Sequence, residues 1–370
     1  MQRILIIGER EIVIAALGQP MDHGFERLYA AYFGNAPLGW DELTVAALQY
    51  FDINTGVPGA ADAYFNNFTP IWRSILETGG RLERAEDIWQ RALQPAQQWE
   101  QTHRGQRLHK GTAYYFWGMT ALLRGDIDHG YLLIHQAVEE DIRTSGQQAP
   151  PTPAYALVTL NYEEVHQFFH QWVLSQASFL NNLIQNYNST HSRTLTVSDV
   201  KRRFIDAPPS IETVFLLTYT IARLMRITPL PDHMTSNAFA GQLQLNLLFD
   251  ITLVIDTAIK EKNPSQWQFV HHAEHLLTAA GHRLRNPQLR DINSQFENAF
   301  ESTLQSGLDG TLVAQTNHTL DRLQCDVALA YGLRNHSAHN IETTPTVWNR
   351  SHDLQAALFR VFCATVDYLY

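Results

Sequence analysis

Near the end of the chain, arginine and histidine crowd into one short polar run, Arg334-Asn335-His336-Ser337-Ala338-His339-Asn340. Arginine stays charged near neutrality and offers a planar fork of donors that matches phosphate oxygens. Histidine, with an ordinary pKa of about 6.5, gives or takes a proton in the same range. Asn335 adds an amide that could orient a hydroxyl or an imidazole. Such a set suits proton transfer at a phosphate group without a metal. A second run, His271-His272-Ala273-Glu274-His275, has the H-x-x-E-H spacing that can put two metal ligands and a carboxylate on one helix. No downstream glutamate completes that set, and a solvated histidine-rich helix face is the simpler account. Cys325 and Cys363 stand alone, without the spacing of a zinc site or a disulfide framework, so no metal or other cofactor is expected.

The spacing around the first run says what must hold it. Leu323, Val327, Ala330 and Tyr331 fall on one stripe of a helix, and the same spacing carries Arg334 onto that buried face, where a guanidinium needs a partner. The polar residues after it predict a turn that keeps arginine and histidine close, and Pro345 separates this turn from a final helix. That helix shows Leu354, Ala357, Leu358, Val361 and Phe362 on one face. Helices are expected near 238–262, 265–283, 288–306, 314–334 and 351–369, the first apolar on nearly every side, as the central member of a bundle would be.

Upstream, apolar residues recur at three- and four-residue spacing, and strand-like alternation is confined to Ile4 to Gly8 and Ala154 to Leu160. The architecture predicted is all-α. Gly and Pro clusters at Gly56 to Gly59, Ser145 to Pro153, Asn188 to Ser198, Pro208-Pro209 and Pro229 to Asp232 break it up. The organisation expected is a helical region over 1–150, a connecting helical region over 151–237 and a bundle over 238–370. Within 111–144, Tyr114, Trp117 and Gly118 precede a Gly125-Asp126 turn, and Gly130, Ile134 and Ala137 follow it. This segment resembles a tetratricopeptide repeat. A weaker copy begins near Asn66, with Trp72 in its first helix and Ala85, Trp89 and Ala92 in its second. Small residues there let paired helices approach, and aromatic residues fill the gap between them. A surface that captures a protein partner and a plain helical scaffold both fit that pattern.

Composition narrows the classes. Across 370 residues, 45% hydrophobic and 17% charged residues describe a folded chain rather than a disordered one. The net charge of -10 opposes a surface built for indiscriminate nucleic-acid binding, and leaves room only for a local basic pocket. Two groups could supply one: Lys201-Arg202-Arg203, and Arg283 with Arg285 and Arg290. The apolar stretch Ile4 to Gly8 is interrupted by Glu9, Arg10 and Glu11, unlike the core of a signal peptide. The stretch Leu243 to Ile259 contains Asn246, Asp250 and Asp256, each costly at a bilayer centre, so a buried helix is expected there and no membrane association. A cytoplasmic location follows from these expectations.

Arg334, Asn335 and His339, set in Leu329-Ala330-Tyr331-Gly332-Leu333-Arg334-Asn335-His336-Ser337-Ala338-His339-Asn340, resemble the signature of HEPN domains: arginine, a polar residue, then histidine after four to six intervening positions. The resemblance spans the region from Ala238 to the C-terminus. It implies a HEPN-type helical bundle and a metal-independent endoribonuclease acting on RNA. Arg334 would hold the scissile phosphate, His339 would serve as acid or base, and Asn335 would orient a hydroxyl or the imidazole; His336 is a possible auxiliary imidazole. The expected product carries a 2',3'-cyclic phosphate. In the family two such motifs usually face each other, so a homodimer is implied. Arg104 to His109 has the same spacing, but Gly105 occupies the polar position. The role implied is a toxin or defence effector, with a protein partner or antitoxin docking through the repeats. Two other readings remain open: a non-catalytic dimeric adaptor or RNA-binding scaffold, and a nucleotide-gated nuclease in which Met1 to Gly8 opens a sensor sheet.

Overall fold

The chain begins by pairing with itself. Strands β1 (Gln2–Ile7) and β2 (Arg10–Ala15) form an antiparallel hairpin in which Leu5 faces Ile12 and Ile4 faces Val13. Alternation turns Leu5, Ile12 and Ile14 inward and leaves Ile4, Ile6 and Val13 exposed. Among the described residues this sheet has no third strand, so the larger sensor sheet is not formed. The computed structural model describes residues 2–34, 37, 39–206, 211–227, 234, 237–266, 268–314, 318–339 and 343–370, the side chains of His318 and His339 excepted.

Two compact units follow from the packing, residues 1–157 with 164–169, and residues 158–163 with 170–370. After the hairpin the first contains α1 (Met21–Phe33), α2 (Trp40–Ile53), α3 (Ala60–Asn66), α4 (Thr69–Glu77), α5 (Leu82–Thr102), α6 (Gly111–Arg124) and α7 (Ile127–Ser145), and α8 (Pro153–Val158) ends it. Ala154 to Leu160, read as strand-like, is thus largely helical. The pair α6 and α7 turns at Gly125, whose φ of 91° is left-handed, and Asp126 caps α7 by accepting from the His129 amide. Glycine lets the two helices close: a Cβ on Gly130 would lie 2.5 Å from Leu122, and one on Gly118 would lie 3.0 Å from the Gly130 carbonyl. From α4, Trp72 donates to Thr120 Oγ1 at 2.9 Å, and from α5, Trp89 stacks on Phe116 with rings 5.3 Å apart. Aromatic residues fill the space between these helices.

The second unit contains α9 (His170–His191), α10 (Val197–Val200) continued by a π-turn over Lys201–Ile205, α11 (Ile211–Ile227), α12 (Ala238–Lys262), α13 (Phe269–Ala279), α14 (Asn286–Asn298), α15 (Phe300–Asp309), the small hairpin β3 (Val313–Ala314) and β4 (His318–Thr319), then α16 (Arg322–His339), α17 (Pro345–Asn349) and α18 (Ser351–Leu369). The helices at 238–262 and 351–369 fall where the periodicity puts them. The segment expected as one helix over 288–306 is two, because Ala299 leaves helical space with φ -149° and ψ 58°. The helix expected from 314 starts later, since Gly310 ends α15 in the left-handed region and the apolar residues after it enter β3. Helix α12 is long and apolar enough to cross a membrane by length and composition. Its carboxylates are paired within the unit: Asp250 lies 3.5 Å from Arg223, and Asp256 lies 2.5 Å from His272.

Helix α16 is the core of this unit. Leu323 to Leu333 are buried on every side rather than along one stripe. A buried ion cluster anchors its start. Asp326 is fully buried and accepts from Arg360 at 2.7 and 2.8 Å, with Arg322 at 2.9 Å; Arg360 also donates to Asn186 at 2.9 Å. An ion pair at such depth holds only because each charge meets its partner closely.

Candidate functional site

Arg334 sits where α16 leaves this core. The helix does not stop there, as the polar composition predicts, but runs on to His339. Lateral contacts supply the reason. Asn335 donates to Asn293 Oδ1 at 2.8 Å, and the His336 ring stacks on Phe300 at 3.5 Å, so the polar turn of helix is held against α14 and α15. Neither glycine nor proline interrupts it before Pro345. The side chain of His339 lies outside the described residues, as does Asn340. Positions 335 and 339 share a helix face, whereas positions 334 and 339 are about 140° apart around the axis.

Arg334 is one third exposed rather than buried, and its partner is Asp256 of α12, at 3.7 Å. That carboxylate is shared. His272 Nδ1 lies 2.5 Å from Asp256 and carries the proton, since a carboxylate only accepts, while His272 Nε2 lies 3.3 Å from the Gln266 carbonyl. Arg334 Nε is buried without a hydrogen-bond partner. The guanidinium is therefore steered by one loose ion pair and left with donor capacity unused.

Beside it opens a cleft of about 440 Å³ lined by Gln268, Phe269, Arg290, Asn293, Tyr331 and Arg334, among others. Gly332 makes the wall possible: a Cβ there would lie 2.3 Å from the Phe296 ring, so only glycine lets α14 lie this close to α16. Phe269 stacks on Tyr331 with rings 5.9 Å apart and 11° from parallel. Burial, with the Glu297 carboxylate adding to it, pushes the Tyr331 hydroxyl above its ordinary range, while the Asn335 amide and the charges of Arg290 and Arg334 act in the opposite sense. The described residues that line it include two guanidiniums, three side-chain amides and no carboxylate. In a chain of net charge -10, that is a local surplus of donors suited to an anion.

Of the residues expected at the site, Arg334 and Asn335 line this cleft and His336 does not. Sequence reasoning missed Asp256, His272 and Asn293. Asp256 left a trace as a charge in the most apolar helix. In the run at 271–275 with metal-like spacing, His271 meets Asn286 at 3.1 Å, and His272, which that motif does not use, is the buried member. Of the two basic groups, Lys201 donates to the Leu160 carbonyl at 2.9 Å and Arg202 pairs with Asp199 at 2.9 Å, whereas Arg290 joins the cleft.

The other arginine–histidine spacing, Arg104 to His109, leads to a different environment. His109 is clamped between Asp62 at 2.8 Å and Asp141 at 2.9 Å. Burial opposes its protonation, but hydrogen bonds to Asp141 and Asp62 outweigh it and raise its pKa to about 9. The adjacent Lys110 is buried against Glu100, with Glu140 at 3.4 Å. Compared with known proteins, the chain matches no family model, no curated protein and no solved structure.

Proposed function

We propose that the protein is a metal-independent endoribonuclease of the HEPN type, working as a homodimer, with Arg334, Asn335 and His339 as its reactive set. The observation that carries this reading is the cleft into which Arg334 opens, lined by no carboxylate among the described residues, with the guanidinium under-compensated and partly desolvated. Arg334 holds the scissile phosphate and stabilises the charge that builds on it. The 2'-hydroxyl loses its proton to a base and attacks phosphorus, and the bond to the 5'-oxygen breaks as that oxygen gains a proton. The products are a 2',3'-cyclic phosphate and a 5'-hydroxyl. His339 supplies one of the two proton transfers. Because positions 334 and 339 are about 140° apart on α16, the imidazole acting on an Arg334-bound phosphate comes from the second copy. The role that the resemblance implies is a toxin or defence effector.

The same helical phase favours a second reading, an RNA-binding or adaptor bundle in which the cleft holds phosphate and no proton transfer follows. Cleavage of cellular RNA in excess EDTA by the wild type, Arg334→Ala and His339→Ala separates the two. The nuclease reading expects cyclic-phosphate ends from the wild type and a loss of about 10²- to 10³-fold in Arg334→Ala, with a clear loss in His339→Ala as well. Equal cutting by all three proteins would remove the site assignment. RNA binding without cutting would favour the second reading.

A further inference from the structure

Arg290 is a cation whose position is fixed and whose charge is not neutralised. From α14 its Nε donates to Asn286 Oδ1 at 2.8 Å and its Nη2 donates to Gln268 Oε1 at 3.1 Å. Both partners are neutral amides, and no carboxylate among the described residues pairs with it. An exposed arginine ordinarily spends side-chain entropy when it grips a ligand; this one is already held on two sides, which lowers that cost. It lines the same cleft as Arg334, with Tyr331 near both guanidiniums and the Tyr331–Phe269 stack as a flat wall. Ser294 and Asn293 add further polar groups to the lining.

We infer that Arg290 forms a second phosphate subsite, which holds a phosphodiester next to the one bound by Arg334 and so sets where a single strand of RNA lies in the cleft. This rests on the RNA reading above, and adds a role in binding rather than in the bond-breaking step. Arg334 acts on the reacting phosphate, whereas Arg290 grips its neighbour. The strand is thereby held at two points, with the aromatic wall available to a base.

The test is equilibrium binding of a short, fluorescently labelled single-stranded oligoribonucleotide bearing 2'-O-methyl groups, which block cleavage, measured across a salt series in EDTA. Arg290→Gln should weaken binding about tenfold and flatten the dependence of log affinity on log salt by about 0.7; Arg290→Lys should keep the wild-type slope. In cleavage of an unmodified strand, Arg290→Gln should raise KM and leave kcat nearly unchanged, in contrast to Arg334→Ala. Wild-type affinity and slope in Arg290→Gln, alongside a loss in Arg334→Ala, would overturn the subsite and leave the nuclease reading intact. An Arg290-dependent slope in a protein that cuts nothing would keep the subsite and remove the nuclease. Failure of the wild type to bind the oligonucleotide at any salt concentration would overturn the inference by removing RNA as the ligand.

Discussion

Both units place a cation beside carboxylates at the edge of a helical core, and they do so with opposite degrees of compensation. In the first, His109 has an acid on either side and Lys110 faces two more, with Arg107 and Arg143 closing on Glu140. Every charge meets its opposite, and little donor capacity remains for a ligand. In the second, Arg334 shares a single carboxylate with His272 at 3.7 Å and keeps a buried Nε unpaired. The difference separates charges that are fully compensated from one that is not. Spacing alone puts Arg104–His109 and Arg334–His339 on the same footing; what differs is that His109 is held between two carboxylates while Arg334 has one loose pair, and Arg104 itself is exposed and joins no ion pair among the described residues.

The sharpest way to test the contrast is to remove a cation from the saturated cluster. Lys110 is buried, and Lys110→Met leaves Glu100 facing an apolar group and strips Glu140 of one partner. Breaking one side of a buried ion pair costs about 3 kcal/mol or more. Urea unfolding followed by circular dichroism should show that loss, while oligonucleotide affinity, measured where the variant is still folded, should stay at the wild-type level. A loss of RNA binding in the folded variant would mean that the cluster serves the cleft.

The pH dependence of the first unit is the next effect in size. The His109 pKa is raised to about 9, against about 6.5 in the unfolded chain. A group whose pKa is raised on folding contributes its full stabilisation below the unfolded value and loses it as pH rises through the folded one. Between about pH 6.5 and pH 9 the wild type should lose on the order of 3 kcal/mol that His109→Gln does not lose. Unfolding of both proteins at the two ends of that window measures the difference. Parallel curves would show that the imidazole is not held charged.

The contrast also shows what a sequence can disclose. The long helices were legible because burying an apolar face imposes a period on the chain, and Ala238–Lys262 and Ser351–Leu369 fall where that period puts them. The continuation of α16 past Arg334 was not, because it depends on Asn293 and Phe300, which meet Asn335 and His336 only after α14 and α15 have packed. The split at Ala299 and the strand β2 are decided in the same way, by neighbours rather than by local composition. At the site, Arg334 and Asn335 stood out by type and spacing. Asp256 and His272 were visible only as oddities, an acid in an apolar helix and a histidine inside a run with metal-like spacing. Charge compensation is a property of pairs far apart in sequence, so a single-sequence reading sees candidate cations without seeing which are already satisfied.

The smallest expected effect on stability falls on the most interesting residue. Arg334→Gln removes a guanidinium that is 32% exposed and paired only at 3.7 Å, while His272 continues to donate to Asp256. Loose, partly solvated pairs are worth about 1 kcal/mol at most, and the glutamine amide keeps part of the packing. The unfolding midpoint should therefore stay close to that of the wild type, even as affinity for the uncleavable oligonucleotide drops and its salt slope flattens by about 0.7. Measuring both quantities on one preparation matters, because together they decide what kind of residue Arg334 is. A variant that binds poorly but unfolds normally is the signature of a cation placed for a ligand. A variant that unfolds as readily as Lys110→Met would put Arg334 with the saturated cluster, as a structural charge whose unpaired Nε has no bearing on function.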